Sequence, residues 1–165
     1  MSWSARFTTF LALLLAIAVS PVQAAVGQGP FAGYPNRYSG FDYRVGWQVS
    51  QDSQGVAIEG VLKNLRYGYV DSLTLSVRLV DREGRVVARN TTFTIPQRMS
   101  SADYRTFSLK LDKVSPTKGE TLQFMIWSSG SEGGDGGFTW LSSFMADATT
   151  GAVLGARENR SHDEW

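Results

Sequence analysis

The sequence predicts an all-β antiparallel sandwich of about seven strands preceded by a signal peptide, and three observations carry that prediction. Apolar residues recur with a period of two in a series of short runs, the pattern of strands buried on one face. Turn residues separate those runs, and no stretch with a helical period follows the N-terminal segment. That segment has a leader layout: Arg6 supplies a positive charge, Phe7 to Val19 is apolar apart from Thr8 and Thr9, and Val22-Gln23-Ala24 reads as a cleavage site.

Residues 1–24 are therefore expected to be removed, with Ala25 as the mature N-terminus. The apolar run stops at Ser20 and Pro21, short of the roughly 20 residues a membrane span needs. Retention as an uncleaved anchor is the alternative. Residues 25–40, which include Tyr34 and Tyr38, mix Gly, Pro and Tyr without either period and read as an irregular lead-in.

The sandwich domain is expected over residues 41–156. Phe41, Tyr43, Val45, Trp47 and Val49 alternate with polar or small residues, so these five are assigned to the core and Arg44 and Gln48 to water. Gln51 to Gly55 is turn chemistry, and Val56, Ile58, Gly60 and Leu62 return the chain as the second half of a hairpin. Leu73, Leu75, Val77 and Leu79 mark a third strand, ended by Asp81-Arg82-Glu83-Gly84. Gly84 suits the positive φ of a tight hairpin. The next strand carries Val87, Thr91, Phe93 and Ile95 and stops at Pro96, which has no N–H for a ladder. Three more strands are expected at Tyr104 to Leu111, Leu122 to Trp127 and Phe138 to Met145.

Ser128 to Gly137, rich in Gly and Ser, reads as a mobile loop between the last two strands. Beyond a short apolar patch at Ala152 to Leu154, residues 157–165 form a charged tail. The pattern has immunoglobulin-like character, with an up-and-down barrel as the alternative. The connections at Asn64 to Tyr69 and Pro96 to Asp103 are long enough to cross between sheets, which favours the sandwich.

Val56 to Val87 resembles the FxLYD family of small bacterial domains. The residues that carry the likeness are Gly60, Asn64, Leu79, Asp81 and Gly84, while the family's two aromatic positions are occupied by Val77 and Val80. The resemblance implies an immunoglobulin-like fold and an exported or membrane-tethered life. It implies no catalytic residue.

Composition narrows the chemistry. The chain has no cysteine, so a disulfide framework, a thiolate metal site and a catalytic thiol are all excluded. Sixteen basic and fifteen acidic residues are interspersed and leave a net charge of +1. That balance gives no electrostatic footprint for nucleic acid or for an anionic membrane surface. The sole histidine, His162, lies in the charged tail, where no rigid frame would orient it as a base or a ligand. Gly133-Gly134-Asp135-Gly136-Gly137 is similar to calcium-binding glycine–aspartate repeats, but a single copy supplies too few oxygens. Met99, Met125 and Met145 are scattered and read as gap-filling residues rather than copper ligands. No cofactor and no metal is expected.

The aromatic residues remain. Trp127, Phe138 and Trp140 flank the glycine-rich loop that holds Asp135, and Tyr34 and Tyr38 lie in the lead-in. Exposed flat rings on a sandwich build both protein-binding and sugar-binding surfaces. These six residues form the expected recognition surface. The leading expectation is a non-catalytic periplasmic or secreted module that binds another envelope or secreted protein. Carbohydrate binding through the aromatics is the second reading, and a weak hydrolase the third.

Overall fold

The computed structural model describes residues 29–93, 98–131 and 137–155. The expected signal peptide, Asp135, Ile95, Pro96 and the tail with His162 lie outside them. Among the described residues there are nine strands: β1 (Asn36–Ser39), β2 (Tyr43–Asp52), β3 (Gly55–Asn64), β4 (Tyr69–Val80), β5 (Val86–Phe93), β6 (Tyr104–Asp112), β7 (Thr121–Ser131), β8 (Gly137–Asp147) and β9 (Val153–Leu154). They form two antiparallel sheets, one ordered β1-β2-β3-β6 and the other β5-β4-β7-β8-β9. The described residues contain no helix.

The two long connections do cross between the sheets, as does a third from β6 to β7. Alternation sets the register. Tyr43, Val45 and Trp47 of β2 face Val56, Ile58 and Leu62 of β3 in one inner layer, and Leu73, Leu75, Val77 and Leu79 of β4 occupy the other. Trp47, Phe124 and Phe144 lie between the layers, with ring centroids 4.6 to 5.2 Å apart. Asp52 shapes the β2–β3 turn by accepting the Gln54 and Gly55 N–H groups, and Gly84 turns the β4–β5 hairpin at φ 82°.

Four expectations need correction. Phe41 is not in the core. Gly40 N–H bonds the Tyr43 carbonyl, so the chain turns ahead of β2 and leaves Phe41 at the tip, 89% exposed. The lead-in is not wholly irregular, because its residues 36–39 pair with β2 as an edge strand. Phe31 is buried against the outside of the same sheet, where Gly46 leaves room: a Cβ there would stand 2.8 Å from the Phe31 ring.

The third correction concerns the presumed loop. β7 runs on through Ser131 and β8 begins at Gly137, so residues 128–131 and Gly137 are strand, while 132–136 lie outside the described residues. Gly130 is there for close approach, since a Cβ would fall 2.2 Å from the Tyr69 carbonyl oxygen. The fourth is the phase of β5. Ala88 pairs with the buried Leu79 and turns to the core, whereas Phe93 pairs with the outward Thr74 and Val87 is taken up in a bulge, so both lie outside.

Candidate functional site

One end of the sandwich gathers aromatic rings around a single guanidinium. The β3–β4 crossover carries Leu65, Arg66 and Tyr67, the turn before β2 carries Phe41 and Asp42, and the start of β8 carries Phe138 and Trp140. The crossover is fixed from below. Asn64 is fully buried; its side chain donates to the Ser100 carbonyl at 3.1 Å and accepts the Arg66 N–H at 3.0 Å. Leu65 N–H donates to the Asp42 carbonyl at 2.8 Å and ties the crossover to the neighbouring turn.

Arg66 then reaches across the end of the core. Its guanidinium lies 4.4 Å from the Trp140 ring centroid and 4.9 Å from that of Phe138, and the two rings are 4.8 Å apart. Its Nη1 donates to Asp42 Oδ1 at 3.1 Å, while the Ser142 hydroxyl donates to Asp42 Oδ2. Both carboxylate oxygens of Asp42 are therefore engaged. Deeper still, the Tyr43 hydroxyl is hydrogen-bonded to that of Ser128, and burial pushes the Tyr43 phenol well above its ordinary range. Tyr43 stays protonated at any physiological pH.

Above this framework Phe41 and Tyr67 are each 89% exposed. With Leu65 and Arg66 they line a depression of about 280 Å³. On the adjoining rim Arg98 stacks over Tyr69 at 4.0 Å and pairs with Asp71 at 3.4 Å. The arrangement offers flat apolar rings and guanidinium edges held by a hydrogen-bonded base. Among the described residues no group of three His, Cys, Asp or Glu side chains could hold a metal ion, and no helix is long and apolar enough to cross a membrane.

Of the six residues expected to form one surface, the structure brings together Phe138 and Trp140. Trp127 sits opposite Leu141 in the ladder and Trp140 opposite Ser128, so the two indoles point to opposite faces of their sheet. Trp127 is 46% exposed on the outer face. Tyr38 closes a sandwich edge, stacked on Phe144 at 4.0 Å, and Tyr34 packs beside Gly46. Asp135 lies outside the described residues. Arg66 and Asp42 had no sequence signal, because their pairing spans separate loops. Phe41 had a misleading one, being in phase with the strand that follows.

No family model and no curated protein matches the chain. Among solved structures it is similar to a beta-glucuronidase from glycoside hydrolase family 2, at 16% identity and a TM-score of 0.35. The match covers 61% of this chain and 11% of that one, so the chain spans a small part of that protein's length.

Proposed function

We propose that the chain is an exported, non-catalytic β-sandwich module whose aromatic end binds another protein of the cell envelope or the extracellular medium. The observation that carries this reading is the exposure of Phe41 and Tyr67 beside a rigid base. A folded domain gains little from two rings in water, whereas a partner that covered them would gain roughly 2 to 3 kcal/mol per ring before ordering costs. Large rings at the centre of a patch, backed by an arginine, are the usual anchors of protein interfaces. The depression between them has room for an apolar side chain of the partner. The leader-like N-terminal sequence supports export.

A photo-crosslinking residue placed at Tyr67 in cells of the source organism tests the reading. The expected result is one adduct of discrete mass that is much weakened by Phe41→Ala, with an unchanged melting temperature. Absence of an adduct, or one indifferent to Phe41→Ala, would count against it.

A further inference from the structure

The outer face of the five-stranded sheet carries a second, separate arrangement. The register sets Phe93, Thr74, Trp127 and Leu141 in one row across it. Four residues earlier on β7 a parallel row brings Arg89, Arg78 and Gln123 side by side. At about 3.4 Å per residue the rows stand on the order of 13 Å apart. The row between them is Thr91, Ser76, Met125 and Ser143: Thr91 donates to the Ser76 hydroxyl at 3.1 Å, Ser76 and Met125 are buried, and the exposed hydroxyls are those of Thr91 and Ser143.

Arg78 and Arg89 are direct cross-strand partners, a like-charge pairing that costs stability. Neither has an acidic partner among the described residues. The acids of the adjoining hairpin, Asp81 and Glu83, both bind Arg85, at 2.7 and 3.0 Å. Arg78 Nε is buried and has no hydrogen-bond partner. Beside the pair lies a depression of about 450 Å³ lined by Arg78, Val86, Val87, Ala88 and Arg89. Two uncompensated guanidinium groups at a concave site are a match for carboxylates, which they bind bidentately.

We propose that this face binds a polysaccharide of sugar acids, a polyuronate. Arg78 and Arg89 take the carboxylates, the Thr91 and Ser143 hydroxyls and Gln123 hydrogen-bond the sugar edges, and the half-exposed Trp127 ring stacks on the apolar face of a residue further along the chain. Guanidinium groups at one end and a flat ring at the other suit an extended acidic sugar chain, which offers carboxylates and apolar ring faces along its length. A second copy of this domain fits poorly, since a two-fold contact through the arginine row would set arginine against arginine.

Affinity electrophoresis of the folded chain through gels containing polygalacturonate, neutral dextran or polyglutamate tests the proposal. Retardation is expected with polygalacturonate alone. Arg78→Gln and Arg89→Gln should each weaken it about tenfold or more, the scale of a lost hydrogen bond to a charged group. Trp127→Ala should weaken it as well, and Trp127→Phe, which keeps a flat ring, should restore most of it. No retardation by polygalacturonate would overturn the proposal. So would equal retardation by polyglutamate together with indifference to Trp127→Ala, which would show plain charge attraction.

Discussion

Phe31 and Tyr34 roof part of the four-stranded sheet's outer face, whereas the five-stranded sheet leaves Trp127, Leu141 and Met145 in water on its own. The difference begins with residue size. On the roofed face Gly46 makes room for the Phe31 ring, and Val61, its ladder neighbour, is only 3% exposed although it points away from the core. On the other face Ser76 and Met125 are buried among their neighbours, but Trp127, Leu141 and Met145 keep 46%, 42% and 38% of their surface exposed. An aromatic residue on the outside of a sheet thus has two meanings in one molecule. Phe31 is structural, and Trp127 is available to something else.

The comparison holds only if both sheets share one core, and the largest expected effect tests that. Val45 is fully buried between them. Val45→Asp would place an unpaired charge there, costing several kcal/mol against a total stability of about 5 to 15. The variant should show no cooperative unfolding transition by circular dichroism. A parent-like melt would mean that the inner face of β2 is misassigned, and the distinction between inner and outer faces would go with it.

The contrast sharpens when the two outer aromatics are truncated in parallel. Phe31→Ala removes a ring that is 2% exposed and should cost about 3 kcal/mol, as for a core phenylalanine. Trp127→Ala removes a larger ring but loses only cross-strand contacts with Thr74 and Leu141, worth under about 1 kcal/mol. Urea unfolding of both variants measures the difference. Equal losses would make Trp127 a structural residue and remove the reason to regard its face as open.

Much of this was legible in the sequence, and the failures have identifiable causes. Period-two alternation located the seven long strands; six bury one face on a common core and so must alternate, while β5, an edge strand with no buried residue, was read in the wrong phase. The same alternation, counted from Leu122, Phe124 and Ile126, already points Trp127 outward. What it could not show is contact across space. Phe31 lies among Gly and Pro residues with no period, and only the Gly46 gap explains its burial. Ser128 to Ser131 looked like a loop because a strand that must approach Tyr69 closely uses the same small residues as a flexible linker. The Arg66–Trp140 stack joins the β3–β4 crossover to β8, a contact that no local pattern connects. The residues behind the family likeness proved easy to rationalise individually: Asn64 fastens the crossover and Asp81 with Gly84 shapes a hairpin.

The smallest expected effect concerns the turn by which the open sheet supports the segment that roofs the other. Asp147 ends β8, and its Oδ1 accepts from the hydroxyl and N–H groups of both Thr149 and Thr150. The Thr150 carbonyl in turn accepts the Asn36 side-chain N–H at 3.2 Å, which links the turn to β1 and the lead-in. The Thr149 hydroxyl, followed by the Thr150 N–H, holds the Asp147 carboxyl down at about 2 from its ordinary 3.8. A carboxyl whose pKa falls on folding stabilises the fold above its unfolded value. That contribution is lost as pH drops from 3.8 through about 2. Asp147→Asn keeps an acceptor oxygen in the turn but removes the charge, so comparison with the parent isolates the charged form. The variant should melt slightly below the parent at neutral pH, with the gap shrinking below pH 3.8 and closing near pH 2. The gap should be small because the turn is largely in water. A gap that stays constant across this range would place the turn's contribution in its backbone geometry rather than in the carboxylate, and the roof over Gly46 would then owe nothing to charge.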